Sequence, residues 1–259
     1  MSQPQQAPSP AERRVLSVLG APIDVVSPDD ALQRIARWAA RRESRVVCIC
    51  NVHSVVTAMH DAAHQNAIAS ADLATPDGAP VAWMLRRQGA LGQRRVSGPD
   101  LMQDYLDQAA ARKEPVFLLG STPQTLARLQ SRLQERWPAL PVAGAISPPF
   151  RALTADEDDA LVRELNASGA GTVWVSLGCP KQERWMAEHR GRVHAVMVGV
   201  GAAFDFHAGT VTRAPRWMRD HGLEWLHRLA SEPRRLWRRY LVTNTRFLVG
   251  ACRQLLWRR

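Results

Sequence analysis

Short runs that are apolar at nearly every position recur along the chain, and most close on a turn-forming residue before a helically spaced segment begins. Arg45-Val46-Val47-Cys48-Ile49-Cys50 ends at Asn51. Pro115-Val116-Phe117-Leu118-Leu119 ends at Gly120, Thr172-Val173-Trp174-Val175-Ser176-Leu177 ends at Gly178, and Ala195-Val196-Met197-Val198-Gly199-Val200 forms a fourth run. Strands without polar–apolar alternation are buried on both faces, and the helices between them supply the cover. The pattern therefore predicts a parallel sheet in an α/β, Rossmann-like core. After Gly120, Ser121 or Thr122 is placed to cap a helix that Pro123 opens and that runs to about Trp137. Pro180 and a second helical segment follow Gly178. In such sheets ligands gather at the C-terminal strand ends, where turns lead into helix N-termini. The longest apolar stretch, Val193 to Phe204, falls short of the about 20 residues that a membrane-crossing helix needs.

Composition adds a division of the chain. With 259 residues, 46% of them hydrophobic, the sequence supports one large domain or a domain plus an appendage and excludes general disorder. The net charge is +10, and the segment from Arg213 onward carries twelve arginines against Asp220, Glu224 and Glu232, leaving the rest near neutral. We read residues 1–14 as a disordered leader, 15–212 as the core, and 213–259 as a basic, Trp- and Arg-rich helical appendage. The leader, MSQPQQAPSP at its start, lacks the basic and apolar regions of a signal peptide. Only Lys113 and Lys181 are lysines, and the remaining cations are arginines, which favour bidentate contacts to phosphate or carboxylate. A cationic tail on a neutral body is built to meet a polyanion: a phospholipid surface, a diphosphate or a nucleic acid. Cys48, Cys50, Cys179 and Cys252 form no CxxC pair, which fits a reduced cytoplasmic compartment.

Several constellations carry chemistry, each with a plainer alternative. The Gly120 and Gly178 turns have the strand–Gly–helix form whose backbone N–H groups cradle phosphates, although glycine also simply ends strands. Gly199-Val200-Gly201 opens like a dinucleotide fingerprint but has Phe204 at its last position, which makes it a weak match. Asp77, in Thr75-Pro76-Asp77-Gly78, is a carboxylate on a rigid turn, suited to a general base and equally to turn formation. Asp156-Glu157-Asp158 contains a formal DxD but follows Thr154 at a helix start, where acids serve the dipole. His53, His60 and His64 share one helical stripe that no neighbouring acid or cysteine completes into a metal site, so they are read as structural and no metal is expected. Pro180-Lys181-Gln182-Glu183 puts a cation, an amide and an acid at a helix start. In the tail, arginines interleave with Trp217, Trp225, Trp237 and Tyr240, as in helices that lie in a bilayer interface or that pack their rings on a protein body.

Together these segments resemble the WecG/TagA/CpsF family of bacterial glycosyltransferases (family 26). The matching residues are TPDGAPVAW (75–83), RRVSGPDL (94–101), VFLLGS (116–121), VWVSLGCPKQERWM (173–186), VGVGAAFDFHAGTVTRAPRWM (198–218) and HGLEWLHRLASEPRRLWRRYL (221–241). The resemblance implies a GT-E-like fold, a Rossmann-like core with a C-terminal helical appendage. It also implies inverting, metal-independent, cofactor-free transfer of a hexose or N-acetylhexosamine from a UDP-sugar to a polyprenyl-diphosphate-linked saccharide. The setting it implies is the cytoplasmic face of the bacterial plasma membrane, with the protein attached peripherally. By motif position the catalytic aspartate falls on Asp77, and donor-pocket residues on Asn51, Arg95 and Gln182. Gly120, Gly178, Lys181, Glu183 and Gly201 complete the expected substrate contacts. Arg228, Arg235 and Arg238 fall where the family grips the lipid diphosphate, at i, i+7 and i+10 across Pro233. Family members often carry a threonine two residues before the asparagine, where this chain has Ile49. Two rival classes remain on the sequence alone: a Rossmann-like nucleic-acid-modifying enzyme with a basic tail, for which a cofactor fingerprint is missing, and a non-catalytic membrane adaptor. Pairing of the apolar appendage with a second copy of the chain is a further expectation.

Overall fold

The computed structural model describes residues 13–256, except the side chain of Arg235, so most of the expected leader lies outside the described residues. The chain opens with β1 (Val15–Val18) and β2 (Ala21–Asp24), then α1 (Pro28–Ala40), β3 (Arg45–Cys50), α2 (Val52–Ala58), α3 (Ala62–Ser70), β4 (Leu73–Pro76) and α4 (Ala79–Arg87). It continues through α5 (Gly98–Arg112), β5 (Val116–Gly120), α6 (Pro123–Arg136), β6 (Val142–Ile146), α7 (Ala155–Ala167), β7 (Thr172–Ser176), α8 (Lys181–Glu188) and β8 (Val196–Gly199). Four helices close the chain: α9 (Ala203–His207), α10 (Arg216–Asp220), α11 (Glu224–Ser231) and α12 (Pro233–Leu256).

Strands β3 to β8 form a six-stranded sheet in the order β4-β3-β8-β7-β5-β6, with every pairing parallel. The continuous apolar runs find their explanation here. Val46, Cys48, Cys50, Val173 and Val175 point into one core, while Val47, Ile49, Trp174, Val196 and Val198 point into another on the opposite face. Each large apolar side chain taken fully from water contributes about 1.5–3 kcal/mol, so a strand buried on both faces needs such residues throughout.

From β3 the chain moves outward to β4, from β5 it moves outward the other way to β6, and β7 and β8 fill the middle. Strand order thus reverses near the sheet centre, and the C-terminal ends there open a crevice. Gly120 and Gly144 are required by packing. Gly120 has φ +113° and a side chain on it would overlap the Ser176 carbonyl, and one on Gly144 would overlap the Phe117 ring.

The appendage helices are tied to the core. α12 buries Leu236, Phe247 and Ala251, and the Gln254 side chain accepts from the Leu19 N–H (2.8 Å) and donates to the Ser17 carbonyl (2.7 Å). Its outer face leaves Trp237, Leu241, Leu248, Val249 and Leu256 in solvent. No helix among the described residues is long and apolar enough to cross a membrane.

Candidate functional site

The ends of β3, β4, β5, β7 and β8 converge on a cleft of about 590 Å³, covered on its far side by α11 and the start of α12. Asn51 follows β3 directly; its side chain caps α2 by accepting from the Ser54 N–H at 3.2 Å. Asp77 follows β4. Its N–H continues the β3–β4 ladder by donating to the Cys50 carbonyl at 3.0 Å, so two neighbouring strands fix the position of the carboxylate. Gly78 (φ +81°) then turns the chain into α4.

Burial pushes the Asp77 carboxyl up to about 6, with the neighbouring Glu224 charge acting the same way and Arg95 and the Gly78 N–H partly opposing. A carboxylate so poised is a competent base near neutral pH. Above it lies an ionic network that joins core to appendage. Arg95 bonds Glu224 at 2.9 Å, Arg213 bonds Asp100 at 2.7 Å and approaches Glu224 at 3.5 Å, and Arg219 bonds Asp100 at 3.2 Å. Although desolvation works against it, Asp100 is held down to about 2 by Arg213, Ser97 and Arg95.

Most of the expected donor residues meet here. Asn51, Asp77, Arg95, Gly178, Gln182, Glu183 and Gly201 all line the cleft. Gln182 donates to Glu183 at 2.8 Å, and a side chain on Gly199 would collide with the Met186 methyl and crowd the Gln182 amide. Gly199 therefore lets α8 approach the end of β8. Gly178 has φ +80° with open space around it, whereas Gly120 is sealed against Ser176 and does not line the cleft; Ser121 and Thr122 do. Lys181 is exposed and belongs to a second cavity of about 540 Å³, which lies beneath the 148–155 loop beside Trp185 and His189. The two cavities share Ser121, Phe150, Ser176 and Leu177.

The appendage arginines do not form one stripe. The chain breaks between α11 and α12, so Arg228 and Arg238 sit on different helices. Arg228 faces the cleft, with its guanidinium over the Phe206 ring at 5.4 Å, whereas Arg238 is exposed beside Trp237. The Arg235 side chain lies outside the described residues. Arg239, Tyr240 and Asn244 of α12 line the cleft instead, as does Asp205 of α9. The helical periodicity through Arg239 carried that signal, but only the break at Pro233 reveals the face.

Glu157 and Asp158 of the DxD-like run are held in structural contacts. Thr154 and Glu157 form a capping box, and Asp158 bonds His189 and Arg192, both at 2.8 Å. The isolation of His64 read from the sequence is corrected: Cys179 and Glu183 come to it from the Gly178 turn and α8, placing one ligand atom from each within 4.8 Å of the others. The position of the expected threonine, Ile49, is an apolar wall of the cleft.

A family model described as the glycosyl transferase WecG/TagA/CpsF family matches residues 16–259. The chain belongs to this family. It is therefore a glycosyltransferase, and the cleft holding Asp77 at the reversal of the sheet is its candidate active site. Membership in the WecG/TagA/CpsF family also fits the incomplete dinucleotide fingerprint, since Gly199 at the end of β8 serves the packing of α8.

Proposed function

We propose that the protein transfers a hexose or N-acetylhexosamine, with inversion, from a UDP-sugar to a polyprenyl-diphosphate-linked saccharide during cell-surface polysaccharide synthesis. The observation that carries this reading is the elevated Asp77 carboxyl at the floor of a cleft that is walled by core amides and roofed by appendage arginines.

In the proposed reaction Asp77 takes the proton of an acceptor hydroxyl as its oxygen attacks the anomeric carbon. The bond from that carbon to the diphosphate oxygen breaks, and its electron pair leaves on UDP. Attack from the face opposite the diphosphate inverts the centre. A positioned base supplies about 10²–10⁴-fold. Charge developing on the departing diphosphate meets the backbone N–H groups of the Gly178 turn and the arginines Arg95 and Arg228, which act as preorganised dipoles and charges. Asn51 and Gln182 direct polar contacts at the donor. Phe150, 81% exposed at the mouth joining the two cavities, offers a flat face for a base.

The membrane side of the reading rests on α10 to α12. Trp217, Trp225, Leu226, Trp237, Leu241 and Leu248 are exposed among arginines that include Arg234 and Arg238. Interfacial rings together with cations at about 1 kcal/mol each near anionic lipid suit peripheral attachment to the inner face of the plasma membrane.

The test is a panel of UDP-sugars offered with a short-chain polyprenyl-diphosphate sugar acceptor, read by UDP release and by the mass of the lipid product. One donor yielding a lipid one sugar heavier, with or without Mg²⁺, supports the proposal. Strict dependence on added Mg²⁺ or Mn²⁺ would contradict its charge-stabilisation scheme, and no lipid product with any donor would overturn the acceptor class.

A further inference from the structure

Behind the Gly178 turn, the His64, Cys179 and Glu183 side chains converge from α3, the loop and α8. One nitrogen, one sulfur and one oxygen lie within 4.8 Å of each other. His64 and Glu183 are 0% and 1% exposed. His64 Nε2 stands 3.2 Å from both the carbonyl and the hydroxyl oxygen of Ser54, and the tautomer whose Nε2–H donates to the carbonyl leaves Nδ1 as a bare lone pair. Nδ1 faces Glu183 Oε2 at 3.8 Å, and neither atom has a hydrogen-bond partner. Two buried acceptors aimed at one another with nothing between them cost free energy, and such orphans mark a missing ion, proton or water.

The spacing favours a cation. Ligands at about 2.0–2.3 Å around a tetrahedral metal stand about 3.3–3.8 Å apart, so the 3.8 Å separation of Nδ1 and Oε2 flanks a metal with little movement. The Cys179 sulfur lies 3.7 Å from Nε2, so it must swing toward the Nδ1 side of the ring to close the set. Outer support is already present. The Ser54 carbonyl orients the ring, and the Gln182 amide donates to Glu183 Oε1 at 2.8 Å, turning Oε2 inward. A thiolate and a carboxylate also neutralise a divalent ion in a dry site.

We propose that His64, Cys179 and Glu183 form a zinc(II) site that clamps the Gly178–Gln182 turn to α3. The donor set, one each of N, S and O, selects a borderline-soft divalent ion over Mg²⁺ or Ca²⁺. The ion fixes the wall of the cleft and takes no part in the sugar transfer, so this inference stands apart from the proposed reaction.

Cobalt(II) titrated into the metal-stripped full chain reads the site directly. The expected result is one Co²⁺ per chain, with tetrahedral d–d absorption and a thiolate-to-cobalt charge-transfer band, both lost on adding zinc. Cys179→Ser abolishes the charge-transfer band and weakens cobalt at least tenfold, while Cys252→Ser, at an exposed cysteine on α12, changes neither. Should Cys179→Ser fail to fold, His64→Gln is expected to weaken cobalt by the same order. No thiolate band in the wild type, or a band that survives Cys179→Ser, would overturn the proposal. Equal cobalt affinity in His64→Gln would do so too.

Discussion

Lowering the pH from 7.5 to 5 is expected to reduce kcat/KM about tenfold, because the group that must be ionised sits in the free protein at about 6 rather than at its ordinary 3.8. With the carboxyl at about 6, nearly all of it is charged at pH 7.5 and about one-tenth at pH 5; at 3.8 the rate would change by only about 6% over the same range. The structure also identifies residues that move this limb in opposite directions. Glu224 pushes Asp77 up, so Glu224→Gln shifts the limb toward acid. Arg95 holds Asp77 down, so Arg95→Gln shifts it toward alkali, even where both variants lower the maximum rate. The assay is UDP release as a function of pH for the three proteins, with circular dichroism at each pH to confirm an intact fold. A wild-type profile flat from pH 5 to 8, or limbs that move the same way in both variants, would refute the electrostatic reasoning.

Further expectations concern stability, packing and the membrane. The folded Asp77 carboxyl lies above its unfolded value, so its ionised form subtracts stability above about pH 6, and the effect vanishes below about 3.8. Asp77→Asn is thus expected to raise the melting temperature at pH 8 and to lose that advantage near pH 4; an equal gain at both would contradict this. Gly120→Ala forces a side chain into the Ser176 carbonyl at a positive φ and is expected to cost about 2–4 kcal/mol in urea unfolding. A midpoint within 0.5 kcal/mol (roughly the noise of a surface change) would show that the strand ends relax. Replacing Trp237, Leu241 and Leu248 together with serine is expected to abolish sedimentation with anionic vesicles and to leave the melting temperature nearly unchanged, since all three are exposed. Retained sedimentation would move the membrane contact elsewhere.

The parallel sheet was legible because four of its strands are apolar at nearly every position, a pattern that burial on both faces explains. What escaped were elements with weak patterns. β4 spans only Leu73–Pro76 and ends in a proline, and β6 carries Ala and Gly because its neighbour Phe117 fills the space. Asp77, Asn51, Gln182 and Glu183 were legible from motif position, each standing just after a strand or at a helix start. Gly120 was misleading, because strand-end glycines serve sterics as readily as phosphates, and here a carbonyl decides. Glu224 had no local signal, and for Arg213 and Arg239 the sequence showed a basic segment but not which side chains face the cleft. Their positions depend on how α11 and α12 fold back over the sheet, which involves contacts more than 100 residues apart in sequence. His64 likewise finds Cys179 across 115 residues.

The central claim is that the Asp77 carboxylate removes the acceptor proton, and it is tested most directly by Asp77→Asn under saturating donor and lipid acceptor. Single-turnover formation of the glycosylated lipid is predicted to fall by about 10²–10⁴-fold, while UDP binding by calorimetry stays within about twofold of wild type. Product formation at near wild-type rate with UDP binding intact would contradict it.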